Sequence, residues 1–511
     1  MKLCVLRGQT EVSLPKTISK SRYLSGLQCH KRLWLELFRF ELKGEVDEAT
    51  QALFDQGQAV GELAQLLYPG GVLIDDDHLH IPQAIQSTQK AVAAGASDLF
   101  EAAAQAGRFT ARADILHRVK NGSDEWDIIE VKSTLDVKPD HLTDLTFQKY
   151  VFEKAGYDIR KTYICHLNRD YVRQGPLDIQ ALFTREDVTS AVNLRVKDLP
   201  PQLQRLEKIA NLEKQPFVDI GPHCDKPHEC PFKDLCWKDV PERSVFDLGG
   251  RAPFVWDLYQ RGIKRLADIP DTMKLSSPQR KQIEAERTGQ TYWKVPAIQK
   301  FLNELEYPLS FLDFETVAMA IPPYDGTKSY QTFPTQYSLH VISKVGGELK
   351  NYEFLGDGLA DPRLAFSEAL LKVIPPKGTI LIYSSYEKTI LRQTAEFLPK
   401  FKAPFTAIIQ RCKDLASPFQ RRDVVHPDFE GRFSIKYVLP ALVPGMGYAD
   451  LAIGDGIAAV RAYVQLMDPK VTDAAKKKIR KDLLIYCGQD TLAMVKLVEV
   501  LRNQVSGASI V

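Results

Sequence analysis

The chain has 511 residues, enough for two or three domains, and a composition of 44% hydrophobic and 26% charged residues excludes long disorder in favour of globular cores. A formal net charge of +2 excludes capture of a polyanion by bulk electrostatics, so a nucleic-acid partner has to be met by local basic patches. No apolar run is long enough to span a bilayer, and the opening stretch MKLCVLRGQTEVSLP lacks a secretory pattern; a reducing cytoplasmic location with no membrane partner is expected.

Three blocks follow one another: residues 1–240 and 301–511, each mixing helices and strands, and a polar, mostly helical connector over 241–300. The first block opens with a helix carrying Cys29, inside a stretch where Lys16, Lys20, Arg22, Lys31 and Arg32 alternate with Tyr23, His30 and Trp34. Such a stretch suits phosphate contact or a solvated helix face. Apolar residues recur at helical spacing over 52–68. Two strands, TARADILHRV and DIIEVKST, flank an Asn121-Gly122 turn signal, and Thr184 with Asp187 predicts a capping box opening a helix over 184–199.

On the second of those strands Glu130 and Lys132 share a face, because side chains alternate across a strand, and Asp114 on the first can lie beside them. Two carboxylates suit a divalent hard cation, and a lysine can orient a water for phosphodiester cleavage. The bland reading is a hairpin with a cross-strand salt bridge. At the end of the block Cys224, Cys230 and Cys236 follow at gaps of five residues, with Cys29 as a fourth partner from the other end. Four gathered thiolates can hold an iron-sulfur cluster or a zinc ion. Cys4, Cys165, Cys412 and Cys487 show no such grouping and read as small core residues, and His117, His141, His223 and His228 show no ligand spacing.

Asp114, Glu130-x-Lys132 and the helix TFQKYVFEKAG with Gln148 and Tyr150 resemble the PD-(D/E)XK nuclease core in its RecB-like form. With the four cysteines around it, the block resembles the iron-sulfur exonucleases of the CRISPR-associated and AddB types. The resemblance implies a restriction-endonuclease-like domain, a [4Fe-4S] cluster on Cys29, Cys224, Cys230 and Cys236, metal ligation by Asp114 and Glu130, and a supporting role for Gln148 and Tyr150. An early-helix metal-binding His of that family is missing; Gly57 is followed at that spacing by Gly61 and then Glu62, a possible acidic substitute. The cysteine gaps are wider than the family's, which keeps zinc open.

The connector holds two helical segments, LYQRGIKRLADI and SSPQRKQIEAERTG. The last block opens with the strand PLSFLDFET, on which Asp313 and Glu315 share a face while Phe314 turns inward. It closes with a long helix on which Tyr486 and Asp490, four residues apart, share a face, preceded by the basic run Lys476, Lys477, Lys478, Arg480, Lys481. A carboxylate pair on a strand and a Tyr/Asp pair on a late helix suit a two-metal phosphodiesterase. In that order they resemble the tyrosine-containing DEDD exonucleases of ribonuclease H-like fold, whose middle acid would fall on Glu387 rather than Asp414, with Tyr383 where the family often has Asn. Ser434, Lys436 and Tyr448 read as loop packing, with Lys436 the best phosphate contact among them.

The joined arrangement resembles a bacterial family defined mainly by a C-terminal domain of unknown function. The expectation is a metal-dependent nuclease acting on DNA, at single-stranded ends, with catalytic residues Asp114, Glu130 and Lys132 in one centre and Asp313, Glu315, Glu387, Tyr486 and Asp490 in the other. Magnesium or manganese would serve both, held by Asp114 and Glu130 and by Asp313, Glu315 and Asp490. The rivals are a nucleic-acid-binding scaffold with one or both centres silent, and an RNA-processing exonuclease.

Overall fold

A computed structural model describes residues 16–77, 80–120, 124–250 and 254–507. Cys4 and the Asn121-Gly122 turn lie outside the described residues. The architecture is mixed α/β, and the chain divides into two compact units, Met1–Lys238 with Ala320–Ser329, and Asp239–Met319 with Tyr330–Val511. Among the described residues no helix is long and apolar enough to cross a membrane.

The first unit is built on a seven-stranded mixed sheet. Its strands are β1 (Ile18–Ser19), β2 (Val72–Leu73), β3 (Asp98–Ala106), β4 (Phe109–Arg118), β5 (Glu125–Lys132), β6 (Asp158–Leu167) and β7 (Phe183–Asp187). They run in the order β2-β3-β4-β5-β6-β7, with β1 added to β4. The strands β3, β4 and β5 form an antiparallel meander, whereas β6 lies parallel to β5. That parallel pair needs a crossover, and the chain supplies it as a helix, Pro139–Lys154. Ile115, Leu116, Ile128 and Ile129 are all fully buried, so both faces of β4 and β5 are covered.

The helices of this unit include α1 (Lys20–Gln28), α2 (His30–Phe38), α3 (Glu48–Gln65), α4 (Ile81–Ala93) and α5, the crossover Pro139–Lys154. Ser19 caps α1, its side chain accepting from the Arg22 amide. Burial of Leu145, Phe147, Val151 and Phe152 lays α5 on the sheet, and the Phe147 ring stacks on Tyr23 of α1 with centroids 4.7 Å apart. The helix expected from Thr184 is a correction. Residues Phe183–Asp187 are instead the edge strand β7, antiparallel to β6, and the helix begins at Thr189, whose amide and hydroxyl both donate to Asp187. Sheet pairing overrides the local capping signal there.

The second unit holds β8 (Tyr292–Trp293), β9 (Leu309–Val317), β10 (Phe333–Ile342), β11 (Leu349–Leu355), β12 (Ile380–Ile382), β13 (Cys412–Asp414) and β14 (Val424–Val425). A five-stranded sheet runs β11-β10-β9-β12-β13, antiparallel through β9 and parallel beyond it, while β14 and β8 form a separate pair. Period-2 alternation assigns its faces. Leu312, Phe314, Tyr337 and Leu339 turn to a core completed by Phe366 and Leu370 of the helix Arg363–Val373 and by Ile390 and Leu391 of the helix Tyr386–Phe397. On the opposite face the polar residues of β10 receive the long helix Asp473–Ser506. The segment from Asp239 belongs to this unit and carries its own small core of Val245, Leu248, Leu258, Leu266, Ile269 and Ile283.

Candidate functional site

Docking of the long helix builds the site of the second unit. Gln336 of β10 donates to the Leu483 carbonyl at 2.8 Å, and Ser338 and His340 meet the Thr491 hydroxyl at 2.7 and 2.8 Å. These contacts fix the rotation of the helix, and Tyr486, Cys487 and Asp490 then lie buried beside Asp313 and Glu315 of β9. The Cys487 sulfur is 3.6 Å from Asp313 Oδ2, and ligand atoms of Asp313, Glu315 and Cys487 all lie within 4.8 Å of one another. Glu387, in the first turn of the helix Tyr386–Phe397, is 3% exposed, and its Oε2 has no hydrogen-bond partner among the described residues. Tyr448 donates to Asp490 Oδ1 at 2.5 Å. The Lys436 ammonium sits 5.8 and 5.9 Å from the ring centroids of Tyr448 and Tyr486 and donates to the Gly454 carbonyl at 3.0 Å.

Electrostatics follow from this crowding. Burial, then Asp490, Glu315 and Glu387, push Asp313 far above the usual carboxylate range. Burial and Asp490 raise Glu315 to about 8, against a partial offset from Lys436. Burial, Asp414 and Asp490 raise Glu387 to about 7, and burial raises Asp490 to about 6 although the Tyr448 hydroxyl and Lys436 oppose it. Burial and the surrounding carboxylates likewise hold Tyr486 protonated. Four acids on three separate elements, two buried and two half-buried, thus share one pocket whose charge is undercompensated. Its oxygen donors and the unpartnered Glu387 oxygen fit a divalent cation. Asp414, the alternative acid, lies at the end of β13 and accepts from the Ala416 amide at 2.8 Å, a turn-capping contact.

In the first unit Asp114 sits one step beyond the last ladder pair, Ile115 with Ile129, and its Oδ2 accepts from the Val131 amide at 2.7 Å. Glu130 is 1% exposed and already neutralised. Lys20 lies 2.7 Å and Lys132 2.8 Å from its Oε1, and Gln148 of α5 donates to Oε2. Lys132 also meets Asp144 at 2.6 Å. Asp144 and Gln148 stand four residues apart on α5 and present one face to β5. Burial opposes the Glu130 charge, but Lys132 and Lys20 overcome it and hold the carboxyl well below its ordinary range; burial and Glu130 raise Asp114 to about 7. Tyr150 is not brought in with Gln148: it packs against the hydrophobic core, with the Lys154 ammonium 5.8 Å from its ring. Glu62 lies on the exposed face of α3 and accepts from Gln58 at 3.0 Å. The acid that does approach is Glu101 of β3, a residue with φ +59° within the β3/β4 ladder, which burial and Glu130 raise against the pull of Arg112.

Cys29, Cys224, Cys230 and Cys236 line one cavity together with His223, Phe232 and Lys233. Cys29 is the extended residue between α1 and α2, and Gln28 beside it donates to the carbonyls of His223 and His228, both at 2.7 Å. Burial and the neighbouring sulfurs raise the thiols of Cys29 and Cys230. Four sulfurs at one cavity fit a thiolate-ligated group, whose binding would displace the protons that burial holds on Cys29 and Cys230.

The two basic stretches fare differently. Arg22 donates to the carbonyls of Thr17 and Glu36, Arg32 pairs with Glu36, and Lys20 is spent on Glu130, so the N-terminal stretch is largely consumed internally. Lys477 and Lys481 instead line an open cleft with His340, Asn351, Glu353 and Gln489, which Arg480 also lines while donating to the Leu355 and Gly356 carbonyls. Sequence reasoning missed Asp144 and Glu101, and read Lys20 as a phosphate contact where it pairs with Glu130. Only Asp144 had a local signal, its four-residue spacing from Gln148. Cys487, read as a core residue, stands in the acidic pocket, and Tyr448, read as packing, is bonded to Asp490.

Residues 310–434 match a family model described as a domain of unknown function, DUF2779; that span includes Asp313, Glu315 and Glu387 and ends before Tyr448, Tyr486 and Asp490. A solved structure described as "Crystal structure of SSO0001" aligns over 45% of this chain and 90% of that chain at 14% identity, with a TM-score of 0.20, too low to carry an argument. An uncharacterized protein of Ureaplasma parvum serovar 3, UU173, is 26% identical over 220 residues, and the chain spans only 32% of that relative's length.

Proposed function

We propose that this chain is a metal-dependent nuclease that hydrolyses phosphodiester bonds of DNA at single-stranded ends, with its principal centre at Asp313, Glu315, Glu387 and Asp490. The observation that carries the reading is the convergence from β9 and two helices of these four acids, Glu387 and Asp490 buried and Asp313 and Glu315 half-buried, each raised above the usual range. Undercompensated carboxylates in one pocket call for divalent cations, which is the arrangement a phosphoryl-transfer site requires. Magnesium or manganese bound there would polarise the scissile phosphate and supply an activated water. The four acids would hold it, with Tyr448 fixing the direction of Asp490 and Tyr486 keeping its proton to orient the incoming water. Lys436 would meet the phosphate. Lys477 and Lys481 would track the strand backbone.

On the same proposal the second unit is ribonuclease H-like and the first unit restriction-endonuclease-like. In the first, Asp114 and Glu130 would hold a hard cation and Lys132 would orient water. The four thiolates would hold a [4Fe-4S] cluster that ties Cys29 to the end of the unit, zinc being the alternative. A second reading has a specific support: Glu130 already carries two lysines and Gln148, which favours a first unit that binds nucleic acid without cutting it.

Labelled single- and double-stranded DNA and RNA, incubated with Mg2+ or Mn2+, test this with Asp313→Ala and Glu130→Ala. Cleavage of single-stranded DNA lost in Asp313→Ala supports the reading. No cleavage of any substrate by metal-replete protein sinks it, and preference for RNA moves it to an RNA-processing exonuclease. Unchanged cleavage in Glu130→Ala assigns the first unit to binding.

A further inference from the structure

We propose that Cys487 makes the pocket of the second unit a mixed oxygen and sulfur site, which takes a borderline or thiophilic divalent ion such as Co2+, Zn2+ or Cd2+ more tightly than Mg2+. The inference rests on the reading of that pocket as a metal centre, and goes beyond it by naming the ion class. Cys487 is fully buried, and its sulfur lies 3.6 Å from Asp313 Oδ2 and 3.9 Å from the Asp313 carbonyl oxygen. One atom each from Asp313, Glu315 and Cys487 fall within 4.8 Å of one another. Donors about 2.0 to 2.3 Å from one ion are at most roughly 4.6 Å apart, so the trio is close to the size of a single coordination sphere.

An independent observation points the same way. Glu387 is 3% exposed and leaves Oε2 without a hydrogen-bond partner among the described residues. Its carboxylate is within electrostatic reach of both Asp313 and Glu315. A buried carboxylate oxygen without a donor is costly unless a cation completes it. A thiol that only filled space would not need three carboxylates around it, and as a donor to Asp313 it is a weak one.

Hard cations take oxygen and leave a thiol protonated, whereas softer ions bind thiolate. Binding of a softer ion therefore forms one metal–sulfur bond and releases the Cys487 proton to solvent. Mg2+ would use the carboxylates alone and leave the S–H intact.

The test is optical. Full-length protein, Cys487→Ser and Asp313→Asn are titrated with Co2+, and separately with Cd2+ and Mg2+ by calorimetry. The cysteine ring of the first unit is common to all three proteins, so the difference between them reports on Cys487. The expected result is a thiolate-to-cobalt charge-transfer contribution present in the parent and absent from both variants. Cd2+ affinity at one site should fall at least about tenfold in Cys487→Ser, while Mg2+ affinity changes less than about threefold. Parent-like cobalt spectra in both variants overturn the proposal, and where Cys487→Ser fails to fold, a parent-like spectrum of Asp313→Asn alone does so. Cobalt–sulfur absorbance in a protein that cuts no nucleic acid leaves the site standing and sinks only the nuclease; cleavage without it does the reverse.

Discussion

The Tyr448 hydroxyl lies 2.5 Å from Asp490 Oδ1, a buried contact between a loop residue and a helix residue 42 positions apart. Because the hydroxyl donates to the carboxylate, it favours the charged form of Asp490 against burial. Tyr448→Phe therefore raises Asp490 above its present value of about 6 and moves the acid limb of the pH–activity profile upward. Activity at neutral pH should fall by roughly 10 to 100-fold with little change at pH 9, as for one lost charge-assisted hydrogen bond. A profile that keeps its shape contradicts the role given to Tyr448.

The crowded acids make stability depend on pH in an unusual direction. Asp313, Glu315, Glu387 and Asp490 are all raised in the folded state above their unfolded values near 4. The folded protein then holds more protons than the unfolded chain, so stability is greatest below about pH 4 on this account and declines as pH rises toward the Glu315 value of about 8. Metal-free protein should melt at lower temperature at pH 8 than at pH 5, and Mn2+ should recover more at pH 8. Thermal melts of the parent and of Asp313→Asn, which should have a flatter dependence, decide it.

Lys20 neutralises Glu130 from α1, and the pair is mostly buried. Replacing it by methionine in Lys20→Met keeps the stem and removes the ammonium. Loss on the order of 2 kcal/mol is expected from uncovering a buried carboxylate, in part recovered by Mn2+ at the vacated position. Denaturant unfolding with and without Mn2+ measures both. Equal metal effects on parent and variant would separate Lys20 from any cation site at Glu130.

For the cysteine ring, anaerobically purified protein should be brown, with broad absorbance near roughly 400 nm and about four iron atoms per chain. Cys230→Ser should lose both, and melt several degrees lower because the stitched segments come apart. Colourless parent with one zinc would reassign the cofactor.

Lys477→Glu and Lys481→Glu change cleft residues outside the acidic pocket. Each should weaken single-stranded DNA binding and lower the salt dependence by about one phosphate contact, with cleavage at saturating substrate unchanged. Fluorescence anisotropy across a salt series reads this; a binding curve that ignores both changes takes the cleft out of the substrate path.

Much of the acidic architecture was legible from short-range periodicity. Asp313 with Glu315, Glu130 with Lys132, and Tyr486 with Asp490 are each placed together by the pitch of a single strand or helix, and no long-range knowledge is needed for that. What pairs with them is set by tertiary packing. Lys20 reaches Glu130 across 110 residues and Tyr448 reaches Asp490 across 42, and nothing in the local pattern announces either. Tyr150 shows the limit from the other side, since two residues after Gln148 on a helix it points elsewhere. The strand Phe183–Asp187 was hidden because its sheet partner, β6, lies outside the window that a capping signal samples.

The helix Lys20–Gln28 has nine residues, about 13 Å from end to end. Lys20 at its start holds Glu130, and Cys29 just past its end belongs to the sulfur ring. If the sulfurs hold the proposed cluster, a helix this short would carry a shift at Cys29 to Lys20 as a rigid rod, so oxidative loss of the cluster would disturb the ammonium at its carboxylate. Exposure to air should therefore register first as a charge imbalance at Glu130, far from the atoms attacked.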